Sequence, residues 1–173
     1  MSKKLLIIII ILLAIIAVLA INLFNFSNQD FDGKFTMNVP LGKHYSDVAW
    51  CLPNGALGCK GEYRPNNDDW DFSKGDIVVY YYNNSLLIEG ESNALQHALN
   101  GLTTSYLYQL SQNDDLIVLT NDIGMSNMPP FLVGKSNYDG SEVVFVGGTN
   151  PDDLKHYANT IKFSSDNFNN VKN

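Results

Sequence analysis

The residues best suited to covalent chemistry are the two cysteines of the chain, Cys51 and Cys59. The turn-forming sequence Pro53-Asn54-Gly55 lies between them and can fold the chain back so that the two thiols meet. A disulfide there would add about 2–3 kcal/mol of stability, because it restricts the unfolded chain. Two unpaired thiols, a redox-active pair and a zinc site are the alternatives, although the spacing is not C-x-x-C and no histidine lies nearby in sequence. We predict a Cys51–Cys59 disulfide.

A second candidate is an acidic stretch that alternates oxygen-bearing side chains. Asn67, Asp69, Asp71 and Ser73 are spaced like the start of a calcium-binding loop. Such a loop needs a glycine at its sixth position, where Phe72 stands, and a bidentate glutamate at its twelfth, which is missing. The stretch is therefore either a solvated loop or a weak cation site formed by Asn67, Asp69 and Asp71.

Histidines supply the remaining candidates for acid–base chemistry, at His44, His97 and His156. A catalytic histidine needs a nucleophile close in space, and the sequence contains neither a G-x-S-x-G nor an H-E-x-x-H motif. We therefore predict no catalytic residue, no cofactor and no confident metal site, and we expect that the protein is not an enzyme.

Two N-x-S sequences begin at Asn25 and Asn83, and such sequences accept N-linked glycans on the outer side of a membrane. Asn25 directly follows a long apolar segment, which would hold it too close to a bilayer. Asn83 lies in a predicted turn, so it is the candidate glycosylation site.

The sequence Gly147-Gly148-Thr149 precedes a predicted helix and resembles an anion-binding helix start. Asn150 is a good cap, and Pro151 fits the first turn. Two acids, Asp152 and Asp153, follow and would repel phosphate, so we interpret the motif as a cap alone.

The segment from Leu5 to Phe24 is apolar except for Asn22, and its character determines on which side of a membrane the rest of the chain would lie. About 20 such residues span a bilayer as a helix, and Lys3 and Lys4 before it would keep the N-terminus in the cytoplasm. We predict an uncleaved signal anchor over 5–26 in the cell membrane. Cleavage after Ala20 and a helix buried in a core are the alternatives.

Charge separates the two parts of the chain. The net charge is -7, yet all 18 acidic residues and only nine of the 11 basic ones follow Asn28, so that part carries 9 − 18 = -9. An acidic chain without a basic run lacks the electrostatic footprint of a nucleic-acid binder. The expected partners are the lipid bilayer, through 5–24, and a membrane or cell-surface protein.

The 173 residues suffice for one compact domain outside the cytoplasm. Alternating or β-branched segments predict strands at 35–39, 77–82, 116–120, 131–134 and 141–146, and Tyr81 should face away from Tyr80 and Tyr82. Spacings of three and four predict a helix over 92–112, and a second helix follows Asn150. Tight turns join neighbouring strands, so we predict an α+β fold in which two helices pack on a mainly antiparallel sheet. The predicted boundaries are 1–4 cytoplasmic, 5–26 anchor, 27–34 tether, 35–163 domain and 164–173 disordered tail.

Two short segments carry a family resemblance. Phe35-Thr36-Met37-Asn38-Val39-Pro40-Leu41-Gly42 resembles the F-x-M-x-V-P-x-G strand that opens PsbP/Mog1-like domains, and a helix that runs into Thr160-Ile161-Lys162-Phe163 is similar to their end. The resemblance covers 35–163 and implies an α-β-α sandwich. It also implies an accessory or adaptor role, since many members of that family are not enzymes.

These observations favour a membrane-anchored, extracytoplasmic accessory or protein-interaction module. A ligand- or cation-binding module and a surface enzyme with an unrecognised site are the alternatives. A pilin-like subunit is disfavoured, because no glycine or alanine cleavage residue follows a basic leader.

Overall fold

The computed structural model describes residues 5, 7–14, 26–48, 59–66, 71–103, 106–110, 116–121 and 128–166. These residues form a mixed α+β structure in which every strand pairing is antiparallel, as predicted. The strands are β1 Phe26–Phe31, β2 Phe35–Pro40, β3 Tyr45–Asp47, β4 Gly61–Pro65, β5 Val78–Asn83, β6 Leu107–Leu110, β7 Leu116–Thr120, β8 Phe131–Ser136, β9 Glu142–Gly148 and β10 Lys162–Phe163. Two α-helices, α1 Ala94–Leu102 and α2 Pro151–Asn159, accompany short 3-10 turns at Phe72–Lys74 and Asn84–Leu86.

The strands form two sheets. A large sheet has the order β3-β4-β5-β9-β8-β7-β6, and a small sheet has the order β1-β2-β10. The first face of the large sheet packs against the small sheet and α2, which bury a core rich in aromatic side chains. The second face packs against α1. Both faces are therefore covered, and β5 is buried on both sides: Val79 and Tyr81 face the first core, while Val78, Tyr80 and Tyr82 face the second.

The described residues contain no helix that is long and apolar enough to cross a membrane. The predicted transmembrane anchor over 5–26 is therefore wrong. A span needs about 20 helical residues, and Phe26, the last residue of the predicted range, belongs to β1. The bilayer contact through 5–24 and the single-pass location stay predictions.

The predicted tether over 27–34 is also wrong. Phe26–Phe31 pairs along its full length with β2, and a tight turn connects the two strands. Asp32 and Gly33 have φ values of 56° and 69°, and Lys34 donates its backbone N–H to Phe31 O at 3.0 Å. Asp-Gly with two positive φ angles is typical of hairpin turns, and here Asp32, Gly33 and Lys34 form the loop, because Phe31 pairs with Phe35.

The predicted helix over 92–112 contains a break. Helix α1 ends at Leu102, where the Thr103 hydroxyl donates to Leu99 O at 2.7 Å, and Leu107–Leu110 pairs with β7 as a strand. After Gly101, the spacing of the leucines is compatible with either a helix or a strand. The segment forms strand β6 because it pairs with β7, and a pattern of neighbouring residues does not reveal that pairing.

Other predicted elements are confirmed. The segments 131–134 and 141–146 form the hairpin β8–β9, with Gly140 at φ 72° in its turn. Asn150 caps α2 by accepting a hydrogen bond from Asp152 N at 3.1 Å, and Pro151 stands in the first turn. Leu154 and Tyr157 lie on the buried face of α2, as predicted.

Candidate functional site

Two cavities lie at the end of the large sheet where β5 begins. The larger, about 300 Å³, is lined by Gly42, Lys43, His44, Pro65 and Asn66. The smaller, about 40 Å³, lies between the segment before β5 and the start of α2. Lys43 joins them, because it lines the larger cavity and its ammonium reaches Asp76 in the wall of the smaller. We call this region the Asp76 cleft: Gly42–Tyr45, Pro65, Asn66, Asp76, the cap residue Asn150 and the α2 residues Asp153 and Tyr157.

Local backbone geometry sets the position of the Lys43 side chain. Lys43 donates its backbone N–H to Pro40 O at 3.1 Å, and Gly42 adopts φ 77° to make that turn. Strand β3 follows directly. The side-chain amide of Gln29 donates to Tyr45 O at 2.6 Å and accepts from Tyr45 N at 3.0 Å. Because Gln29 satisfies both backbone groups on the open edge of β3, the start of that strand is held against the small sheet.

Asp76 is the central charged group of the cleft and is 2% exposed. Its Oδ2 accepts from Asp71 N at 2.9 Å, and its Oδ1 lies 2.7 Å from Lys43 Nζ. The Oδ1–Nζ contact is an ion pair, yet no group of the described residues donates an aligned hydrogen bond to Oδ1. A buried carboxylate therefore has a charge partner while one oxygen keeps unused accepting capacity.

The hydroxyl of Tyr45 lies beside this carboxylate. It is buried and lies within reach of the Ile77 backbone. Burial raises the pKa of Tyr45 above its usual range, a contact with the Ile77 backbone opposes that rise, and the nearby Asp76 carboxylate adds to it. The hydroxyl therefore stays protonated and keeps its proton for donation.

The start of α2 completes the smaller cavity. Asn150 Nδ2 donates to Asp153 Oδ2 at 2.9 Å, and the Thr149 hydroxyl donates to Phe72 O at 3.2 Å. The described residues that line the smaller cavity include two acids, Asp76 and Asp153, and no basic residue. The arrangement can accept hydrogen bonds and balance positive charge, which matches the interpretation of the Gly147-Gly148-Thr149 motif as a cap.

The predicted cation site falls only partly within the structure. Asn67 and Asp69 lie outside the described residues. Asp71 is exposed, and its Oδ1 accepts from Ser73 N at 2.8 Å, which caps the 3-10 turn. Hydrogen bonds from Ser73 lower the pKa of Asp71. No group of three or more His, Cys, Asp or Glu residues suited to a metal occurs in the described ranges.

Cys59 takes part in a disulfide, which agrees with the predicted Cys51–Cys59 pair, since Cys51 is the other cysteine of the sequence. Cys51 lies outside the described residues, while Cys59 is half-buried and packs against the core of the second face.

The three histidines lie apart, each in a different environment. His44 lines the larger cavity of the Asp76 cleft. The Nδ1 atom of His97 lies 2.5 Å from Glu91 Oε2, with both side chains buried, and its Nε2 has no hydrogen-bond partner among the described residues. His156 stacks against Phe26 at 4.6 Å between ring centroids. The structure does not bring the histidines together.

Asn83, the candidate glycosylation site, ends β5. Its Oδ1 accepts hydrogen bonds from Ser85 N at 3.1 Å and from the Ser85 hydroxyl at 2.6 Å, so the side chain caps the 3-10 turn that follows. Glycosylation there stays a prediction. Asn25 lies outside the described residues.

Sequence reasoning missed the two residues at the centre of the cleft, Lys43 and Asp76. The sequence contains a weak indication that Asp76 is buried. Asp76 stands between Gly75 and the first apolar residue of a strong strand pattern, where an acidic side chain has little access to water. Lys43 had no such signal, since its distance to Asp76 depends on the pairing of β3, β4 and β5.

Comparison with known proteins finds that no family model, no curated protein and no solved structure matches the chain. The resemblance to PsbP/Mog1-like domains is therefore not shown, and an accessory role drawn from it stays a prediction.

Proposed function

We propose that this protein is a binding module and that the Asp76 cleft is its ligand site. The observation that carries the proposal is a carboxylate held 2% exposed in the wall of a cavity, with one oxygen that no aligned donor satisfies. Buried carboxylates are costly unless paired and hydrogen-bonded, so an incompletely satisfied one beside a cavity favours a binding role.

The size of the cleft supports the same function. Its larger cavity of about 300 Å³ is at the lower end of the range for small-ligand sites, about 300–1,000 Å³. Its lining includes three polar side chains, Lys43, His44 and Asn66, and a small number of polar groups is what fixes the orientation of a bound molecule. An accessory role fits this proposal when the bound group belongs to another protein.

The test is a binding screen monitored by amide chemical shifts of the ¹⁵N-labelled full chain. The probes are small alkylamines, guanidines, carboxylates and neutral alcohols. We expect a subset to shift the amides of Gly42, His44, Asn66 and Gly148, and we expect Asp76→Asn to weaken that binding at least about tenfold, since a charged hydrogen bond contributes about 1.5–3 kcal/mol.

Asp152→Asn is the matched control, because it removes the same charge from an exposed side chain in the first turn of α2. It should leave binding unchanged. The proposal is wrong if no probe shifts the cleft amides, or if Asp76→Asn and Asp152→Asn bind the probes equally well.

A further inference from the structure

We infer that the ligand of the Asp76 cleft carries a positively charged nitrogen, an ammonium or a guanidinium, and that Lys43 occupies the place of this group in the unbound protein. This inference rests on the proposed function and specifies its ligand class.

The contact between Lys43 and Asp76 shows that the Asp76 carboxylate accepts a primary ammonium as its ion-pair partner. A primary ammonium lies 2.7 Å from the buried carboxylate, which is the distance of a charge-assisted contact. The Oδ1–Nζ contact meets the distance of an ion pair but not the angles of an aligned hydrogen bond. Every primary ammonium carries three donors, and the ammonium of a ligand approaches Oδ1 without the side-chain tether that joins the Lys43 ammonium to the backbone.

The surroundings favour a cation over an anion. No described residue that lines the smaller cavity is basic, while Asp76 and Asp153 are both acidic. The start of α2 presents the positive end of a helix dipole, but Asp152 and Asp153 in its first turn offset that field. An anion in the cleft would be repelled by the Asp76 carboxylate. In the described chain, Lys43 is the only basic residue that pairs with Asp76 and could offset this repulsion.

Lys43 is able to leave. Its side chain is 35% exposed, against 1% for that of Asp76, so the ammonium can move into water while the carboxylate cannot. Its departure frees the position beside Asp76, because Lys43 Nζ lies 2.7 Å from Oδ1 in the unbound protein. An incoming ammonium would then restore the charge balance that Lys43 provides in the unbound state.

The experiment is chemical rescue of Lys43→Ala. Removal of the ammonium leaves Asp76 buried without its charge partner, so we expect a lower melting temperature than in the unchanged protein. Butylammonium or guanidinium should raise that temperature again, while sodium chloride at equal ionic strength should not. Butylammonium should bind Lys43→Ala at least about tenfold more tightly than the unchanged protein, because the tethered competitor is gone.

Lys74→Ala is the matched control, since it removes the same charge from an exposed position near the cleft. It should bind butylammonium like the unchanged protein. Lys43→Met retains the apolar stem, so it serves as a second variant should Lys43→Ala fail to fold. A peptide, acetyl-Gly-Lys-Gly-amide, separates the two sources of an ammonium: tighter binding than butylammonium indicates a lysine of a partner protein, and weaker binding indicates a free amine.

Several results would overturn this inference. One is stabilisation by inorganic phosphate in place of the amines, and another is equal affinity of Lys43→Ala and the unchanged protein for butylammonium. If carboxylate or alcohol probes shift the cleft amides and amines do not, the ligand class is wrong while the binding site stands. If no probe shifts them, the proposed function itself fails.

Discussion

The two faces of the large sheet are covered by different numbers of elements, and their cores differ accordingly. The first face lies under the small sheet and α2, whereas α1 is the helix that covers the second face in the described chain. On the first face, Phe31 and Phe35 stack at 4.6 Å between centroids, and Phe35 lies 5.7 Å from Tyr81. Such offset aromatic pairs contribute about 0.5–1.5 kcal/mol each beyond the area they bury.

The second face contains buried charge beside its apolar residues. Glu62, 1% exposed, pairs with Arg64 at 2.5 Å, and its register partner Tyr80 belongs to the core of this face. His97 and Glu91 form a second buried polar pair near Tyr82. Beneath the nine-residue α1, paired polar groups complete the burial of the second face, whereas the buried charge of the first face, Asp76, lies at the end of the sheet beside Tyr45 and Tyr157.

The largest effect should come from Phe35→Ala on the first face. Phe35 is fully buried and contacts Phe31, Tyr63 and Tyr81, so its removal should lower the free energy of unfolding by about 3–5 kcal/mol. Urea denaturation measures it. Leu102→Ala on α1 is the comparison and should cost less, and Tyr138→Ala, at a residue that is 98% exposed, should cost almost nothing. Equal losses for Phe35→Ala and Leu102→Ala would contradict the distinction between the faces.

A smaller effect should follow pH through Glu62→Gln. Burial raises the pKa of Glu62, although its hydrogen bond with Arg64 acts in the opposite direction. The folded state therefore binds the proton more tightly than the unfolded chain does, so ionisation lowers stability as pH rises above the unfolded value of about 4.3. We expect the free energy of unfolding of Glu62→Gln, relative to that of the unchanged protein, to increase as the pH rises from 4 to 7.

Glu91→Gln is the matched control on the same face, with the opposite sign. Burial acts to raise the pKa of Glu91, but hydrogen bonds from Ile88 N, His97 and Asn100 lower it overall. Its carboxylate therefore stabilises the fold above the unfolded value of about 4.3, and that contribution is lost as pH falls through the folded pKa. If the free energy of unfolding changed with pH in the same direction for both variants, the opposite pKa shifts assigned to Glu62 and Glu91 would be wrong.

The smallest effect should come from the helix caps. Asn93 caps α1 by accepting from Gln96 N at 2.9 Å, and Asn150 caps α2 in the same manner. Each change to alanine should cost about 1 kcal/mol. Hydrogen exchange should show that Asn93→Ala loosens α1 and the second face, while Asn150→Ala loosens α2. Faster exchange in α1 after Asn150→Ala would indicate that the two faces open together.

Sequence patterns predicted the elements whose signals are local. The β-branched and aromatic run at 77–82 and the Asp139-Gly140 turn between β8 and β9 needed only neighbouring residues to be recognised. The Asp32-Gly33 turn carries the same signal, yet the preceding strand was interpreted as a tether because its polar residues suggested a linker. Those residues lie on an edge strand, where half of the positions face water.

Local sequence patterns were enough to predict the α+β composition, the cap of α2 and the alternation of Tyr80, Tyr81 and Tyr82, because each follows from periods and caps that span only a few residues. Long-range packing was needed to make 107–110 a strand, to bury Glu62 and to place Lys43 beside Asp76. Strand pairing and removal from water both depend on residues far apart in the chain, and no local pattern encodes which distant group becomes the neighbour.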